Sequence, residues 1–411
     1  MAQGFSVADH DFMARALRLA ELGLFTTTPN PRVGCVIVSE GRVVGEGWHL
    51  RAGGRHAEIH ALQAAGEAAR GATVYVTLEP CSHHGRTPPC AEALLAAGVT
   101  RVVAAMEDPN PQVAGQGLAM LQHAGVLAEC GLMAAEAREI NIGFVARMTR
   151  SRPWLRLKLA ASLDGKTALQ NGASQWLTGA AARQDGHRWR ARACAILTGI
   201  GTVRHDDPQL NVRGVDLLTS AFHESRARDS QIAPLSHAGE GPGERGTVTT
   251  SVVAGVFSSD GRLRQPLKVL VDSRLELSLD ARVLCDGHVL VAAALADQRK
   301  IEALAERGAE VVLLPGPGGR VDLLSLLKEL ARRGINEVHA EAGFALSGSL
   351  LAADLVDELL LYLAPCLLGD AARGMFDLPP LESLAGRRNL AIHDLRSLGP
   401  DLRLLARFNQ V

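Results

Sequence analysis

Aromatic residues are scarce in this 411-residue chain: four Trp, two Tyr and nine Phe make up 4% of it. Charge of one sign is lacking too, since 43 Lys and Arg against 44 Asp and Glu leave a formal net charge of −1. A protein dedicated to nucleic acid carries a basic excess or stacking aromatics, so the composition argues against that class. No uninterrupted apolar run reaches the roughly 18 residues that suggest a membrane span; the richest, LVDELLLYLAPCLLG, contains charges and a proline. Seven cysteines are too sparse for a disulfide scaffold, and their odd number leaves at least one thiol unpaired. The opening stretch MAQGFSVADHDFMARAL has no continuous apolar core and does not read as a signal peptide. The expected setting is therefore cytoplasmic and reducing, where neighbouring cysteines are ligands or catalysts rather than bridges.

What is present is apolar bulk. With 47% of residues hydrophobic, disorder as the dominant state is excluded. At about 100–200 residues per domain, the length predicts two or three domains, and the strand–helix pattern places a boundary near 145–153. A helical repeat runs from Asp9 to Gly23, and Asp9 is the expected cap. VGCVIVSEGRVVGEGW reads as a hairpin around Glu40-Gly41. Helices are expected in HAEIHALQAAGEAA and CAEALLAAG, and strands in ATVYVTLEP, RVVAAMEDP and VLAEC. Strands and helices alternate again after Pro153, through WLRLKLAASLDG, RARACAILTGIGTV, PLKVLVDS, HVLVAAA, EVVLLP and EVHAEAG. Both halves thus predict layered α/β domains with largely parallel sheets. Residues 217–250 lose periodicity and read as a surface insertion, with a lid as the functional alternative.

His56-Ala57-Glu58 opens a predicted helix, Pro80-Cys81 follows a strand, and Cys90 heads another helix after the intervening SHHGRTPP. One imidazole and two thiolates suit tetrahedral zinc with an open fourth position. Helix N-termini favour thiolate over thiol. Glu58 is two residues from the histidine, close enough to move a proton without being a ligand, the logic of zinc base deaminases. Each element alone has an ordinary reading, since a lone H-x-E is common and a lone Cys is usually small core. Their order is far more specific. His60 lies one turn from His56, but the glutamate is misplaced for H-E-x-x-H, so it reads as a helix residue near the site. His83 and His84 fall in the loop between the cysteines, as substrate contacts or as loop structure.

T-x-P-N-P-x-V-G (Thr28, Pro29, Asn30, Pro31, Val33, Gly34), H-A-E and the run E-P-C-S-H-H-G-R-T-P-P-C from Glu79 to Cys90 resemble the bifunctional riboflavin-biosynthesis deaminase/reductase family. The long gap between cysteines is typical of that branch. The resemblance covers about residues 8–150. It implies a cytidine-deaminase-like three-layer domain over 1–148, with zinc on His56, Cys81 and Cys90, Glu58 as catalytic proton shuttle and Asn30 on the pyrimidine.

In the second half, K-L-A-A-S-L-D-G-K (Lys158 to Lys166) is followed by S-Q-W-L-T-G, I-L-T-G-I-G-T-V and D-D-P-Q-L-N-V-R. E-A-G-F-A-L-S-G-S (Glu341 to Ser349) reads as a strand-to-helix turn whose backbone N–H groups suit a phosphate. No G-x-G-x-x-G with a following acidic residue is present, so a Rossmann site is not supported. Taken with the domain order, these segments resemble the reductase half of the same family. That implies a dihydrofolate-reductase-like α/β domain over 149–411 using NADPH. By that resemblance Ala160, Trp176, Thr202, Asp206, Ser273, Gly343, Phe344, Ala345, Leu346, Ser347, Gly348 and Ser349 line the NADPH site. Ser174, Arg190, Leu210, Arg213 and Glu341 hold the substrate. Two arginines are what a ribose phosphate asks for. Lys158 and Glu341 are the candidates for placing the sugar carbon and supplying a proton, and Arg274 for reading the NADPH 2′-phosphate. The 217–250 insertion and Phe344-Ala345, where the family pattern has a Pro-Thr-like pair, are local departures.

The resemblance implies two successive reactions on one phosphorylated pyrimidine. The first deaminates 2,5-diamino-6-(5-phosphoribosylamino)pyrimidin-4(3H)-one; the second reduces the ribosyl chain. The competing readings are a nucleoside or nucleic-acid base deaminase with an unrelated appended domain, and a zinc-stabilised binding protein without catalysis. No nucleic-acid or membrane partner is expected, and homo-oligomerisation is left open.

Overall fold

The computed structural model describes residues 4–83, 88–111, 113–214 and 264–408. The 217–250 segment, His84 and the chain ends lie outside them. Among the described residues, one compact unit holds 4–149 together with Arg264, and the other holds 150–214 and 265–408.

The first unit begins with α1 (Val7–Glu21) and β1 (Gly34–Ser39), which forms a hairpin with β2 (Arg42–Trp48). The cap of α1 is Ser6, not Asp9 as expected. Ser6 Oγ accepts from the Asp9 N–H, while the Asp9 carboxylate accepts from the Ser6 N–H, a reciprocal box that needs Asp9 inside the helix. Then follow α2 (Ala57–Ala65), β3 (Thr73–Val76), α3 (Cys90–Ala97), β4 (Arg101–Ala104), α4 (Gln116–His123), β5 (Leu127–Cys130), α5 (Ala134–Ile140) and α6 (Ile142–Arg150). The sheet order is β2-β1-β3-β4-β5, antiparallel across β1 and parallel from β3 to β5. Helices α1 and α2 lie directly on the strands. A side chain at Gly47 would put Cβ 2.4 Å from the Ala57 carbonyl oxygen, so glycine there is what lets α2 sit against β2.

The second unit runs β6 (Trp154–Ser162), β7 (Lys166–Ala168), α7 (Ala180–Arg192), β8 (Ala195–Gly199), α8 (Ile200–Asp206), β9 (Leu267–Val271), β10 (Val289–Ala293), α9 (Gln298–Glu306), β11 (Ala309–Leu313), α10 (Leu323–Arg332), β12 (Glu337–Ala340), α11 (Phe344–Ala352), β13 (Glu358–Ala364), β14 (Arg373–Gly374), β15 (Leu390–Leu398) and β16 (Asp401–Phe408). Nine strands form one sheet in the order β11-β10-β9-β8-β12-β6-β13-β16-β15. Strands β11 to β13 are parallel in that sheet, and β16 and β15 close it antiparallel. Leu155, Leu157, Val269, Leu290 and Val338 carry the core on one face; Ile196, Leu270 and Val291 carry it on the other. The carboxyl ends of β6, β8 and β12 therefore open onto one edge, where ligands of parallel α/β sheets bind.

Candidate active sites

In the first unit His56 is the N-terminal cap of α2, and Cys90 is the first residue of α3. Strand β3 stops at Val76, so Cys81 lies in the loop beyond it. That loop is held by Glu79, whose carboxylate accepts backbone N–H groups from Asp108, Gly115, Gly117 and Leu118. His56 Nδ1 lies 3.3 Å from Cys90 Sγ and 3.6 Å from Cys81 Sγ, and the three donor atoms are all within 4.8 Å of one another. Donors about 2.0–2.3 Å from a tetrahedral zinc sit about 3.5–3.8 Å apart, so the set fits the ion. The Cys90 sulfur leads in drawing the Cys81 thiol down to about 4, against burial and with help from His56 and the Cys90 N–H. Glu58 is 3% exposed, the second residue of α2 and two beyond His56. Burial pushes its carboxyl up, with His56 pulling the other way.

His49 is a component the sequence reading did not single out. It is buried, and its ring stands edge-on to His56 with centroids 5.5 Å apart. Its Nδ1 lies 3.0 Å from the Arg55 carbonyl oxygen, which only accepts, so Nδ1 carries the proton. Burial lowers its pKa and keeps the ring neutral. Nε2 is then the acceptor for the Asn30 Nδ2 amide at 3.1 Å, which leaves Asn30 Oδ1 available to an N–H of a ligand. His83 stands in the loop after Cys81 and is exposed.

In the second unit two clefts of about 850 and 840 Å³ share Lys158, Thr202, Asp206 and Glu341. The first holds Ala160, Ser174 and Gly343 to Leu346. Gly343 caps α11 with extended backbone, so the expected strand-to-helix turn is present. Ser347 and Gly348 turn inward. Ser347 Oγ donates to the Ala342 carbonyl, and a Cβ on Gly348 would fall 2.0 Å from the Asp377 carbonyl oxygen. Ser349 Oγ donates back to Ala345. The second cleft holds Arg190, Leu210, Arg213 and the exposed Trp176, over whose ring the Arg183 guanidinium lies 4.7 Å from the centroid. Ser174 thus lines the first cleft and Trp176 the second. Ser273 lines neither cleft: its Oγ accepts the Val321 N–H, and Arg274 is exposed beside it.

At the junction, Arg190 grips Glu341 in a bidentate pair, and its Nη1 donates to the Asn211 carbonyl. Burial would raise the Glu341 carboxyl; the Arg190 guanidinium overcomes this and holds it well below the usual range. His339, fully buried two residues earlier on β12, brings Nε2 to 3.4 Å from Glu341 Oε1. Burial pushes the Lys158 ammonium down, Glu341 opposes and Arg190 adds to the fall. The sequence signal for His339 was the two-residue strand spacing H-x-E, which places both side chains on one face.

The fold and donor set define a zinc-deaminase-like unit joined to a second α/β unit with ligand clefts at the carboxyl ends of its parallel strands. Comparison agrees in both halves: residues 6–106 match the cytidine and deoxycytidylate deaminase zinc-binding region, and 153–404 match the RibD C-terminal domain. The chain is 46% identical to the riboflavin biosynthesis protein RibD of Escherichia coli K12, over 96% of this chain and 98% of that one. It is 43% identical to RibD of Haemophilus influenzae over 97% of each. An Acinetobacter baumannii RibD structure superposes with a TM-score of 0.82 at 39% identity, covering 98% and 99% of the two chains. A Thermotoga maritima diaminohydroxyphosphoribosylaminopyrimidine deaminase/5-amino-6-(5-phosphoribosylamino)uracil reductase gives 0.76 at 27%, with the same coverage. The chain belongs to the RibD family of bifunctional riboflavin-biosynthesis enzymes.

Proposed function

We propose that the chain converts 2,5-diamino-6-(5-phosphoribosylamino)pyrimidin-4(3H)-one to 5-amino-6-(5-phosphoribosylamino)uracil by hydrolytic deamination, and then reduces that product with NADPH to 5-amino-6-(5-phosphoribitylamino)uracil. The observation that carries the reading is the convergence of His56, Cys81 and Cys90 beside the buried Glu58, in a chain whose other unit gathers Lys158, Arg190, Arg213 and Glu341 at the open end of its sheet.

In the deaminase, His56, Cys81 and Cys90 would hold the zinc, which supplies Lewis acidity that makes water nucleophilic near neutral pH. Glu58 takes the proton of the attacking water and delivers it to the exocyclic nitrogen that leaves as ammonia. Asn30, fixed by His49, orients the ring through Oδ1. In the reductase, bound NADPH supplies a hydride, with Ala160, Thr202, Asp206 and the Gly343–Leu346 turn as its supports. Opening the C1′–O4′ bond leaves the sugar oxygen needing one proton. Glu341, locked as a carboxylate by Arg190, is unsuited to give it; Lys158, buried with a lowered pKa, is suited. Glu341 then positions Lys158 and the sugar.

The finer partners and setting follow the same reading. The soluble phosphorylated substrate and the neutral composition support a cytoplasmic enzyme without nucleic acid; among the described residues no helix is long and apolar enough to cross a membrane. A second copy of the chain fits the edge strand β15, where Leu390, Ile392 and Leu395 are exposed. Assaying the diaminopyrimidine phosphate beside cytidine and tRNA tests the function: ammonia release from the first alone supports it, and release from the others at comparable rates refutes it.

A further inference from the structure

His187 and Arg190 stand one turn apart on α7, and both line the cleft that holds Lys158, Arg213 and Glu341. Arg190 and Glu341 are largely spent on each other. His187 is different: its Nδ1 is buried and has no hydrogen-bond partner among the described residues. A buried N–H without an acceptor is more costly than a bare lone pair. The ring proton therefore belongs on Nε2, the remaining polar atom of a side chain that lines the cleft.

The charges around the ring say what it meets. Three cations face it: Arg190 from its own helix, Lys158 from β6 and Arg213 from the loop after α8. Against them stands one carboxylate, Glu341 at the end of β12. Arg183, one turn earlier on α7, and Asp206, Asp207 and Arg282 line the cleft as well. A site of this make-up selects an anion. We propose that His187 is a ligand of the substrate's phosphate in the reductase cleft, donating from Nε2 beside Arg213. This rests on the reading of the cleft as the seat of a phosphoribosyl pyrimidine. Burial, then Arg190 and Arg213, push the free imidazole down to about 4, so it is a neutral donor before the ligand arrives.

The test uses the full chain and follows NADPH oxidation with the deaminated phosphoribosyl substrate and with the same compound after phosphatase treatment. His187→Leu is expected to raise KM for the phosphorylated substrate about 10- to 100-fold, the usual worth of a hydrogen bond to a charged group. Its kcat, its KM for NADPH and its kinetics on the dephosphorylated compound stay near wild type. His187→Gln, whose amide nitrogen reaches the Nε2 position, recovers most of the affinity. Inorganic phosphate competes more weakly against the leucine variant. Should His187→Leu fold poorly, comparing His187→Gln with the shorter His187→Asn serves the same purpose. Equal losses on both substrates, no loss, or glutamine behaving like leucine would overturn the proposal. A wild-type enzyme indifferent to the phosphate overturns the reading of the cleft itself, before any variant is compared.

Discussion

Burial acts on Glu58 and Lys158 in opposite senses, and both moves favour proton transfer. A carboxyl out of water is raised and an ammonium lowered, each toward the range where it can give and take protons. Glu58→Gln keeps the shape and removes the base. Deamination should fall by about 10²–10⁴-fold with zinc still bound by metal analysis; unchanged deamination would exclude the role. For Lys158, the protonated form is the active one, so reductase kcat should fall as pH rises through its depressed pKa, on a limb below the ordinary lysine value of 10.5. Lys158→Ala should abolish that limb and most of the turnover while NADPH still binds, as seen by fluorescence titration. Full turnover in that variant would reassign the proton. The donors and Glu58 were legible in the sequence because a metal demands particular atoms at short range, which leaves H-A-E and two cysteines ahead of helices. His49 and His187 were not, since each acts through one hydrogen bond or a field set by residues distant in the chain; His339 left only its two-residue spacing to Glu341.

At the scale of elements, the zinc donors come from the start of α2, the loop after β3 and the start of α3, while α1 and α2 pack on the sheet that carries them. Inside α1, Asp9 completes the box of the Ser6 cap, accepts from Tyr75 and pairs with Arg101 at 2.5 Å. Burial raises its pKa and these partners more than reverse that, so the folded value lies below the ordinary 3.8. A depressed carboxylate contributes stability above the unfolded pKa and loses it as pH falls below. The first unit should therefore lose stability from about pH 4 downward, and Asp9→Asn should flatten that dependence in thermal melts. Gly47→Val forces Cβ into the Ala57 carbonyl, and should cost about 1–3 kcal/mol and weaken zinc retention. Strands and helices with clear periodicity were readable from sequence. The Ser6 cap was not, because Ser6 precedes the apolar repeat by a full turn. The closing hairpin β15–β16 was not either: six of the nine residues of β15 are exposed and none is fully buried, so no apolar face stands out in its sequence.

At the scale of the molecule, two units with separate cores carry two chemistries. Removing zinc with a chelator should abolish deamination and leave reduction of the pre-deaminated substrate intact; loss of both would tie the second unit to the metal. Light scattering should show self-association, and Ile392→Asp with Leu395→Asp should return the chain to monomer. The central claim is that one chain performs both steps in order. Following ammonia and NADPH together in one reaction tests this most directly. Starting from the diaminopyrimidine phosphate, ammonia should appear first, NADPH loss should follow after a lag, and one NADPH should be consumed per ammonia, with neither seen after Glu58→Gln. Oxidation of NADPH by the diaminopyrimidine with no release of ammonia would contradict the account.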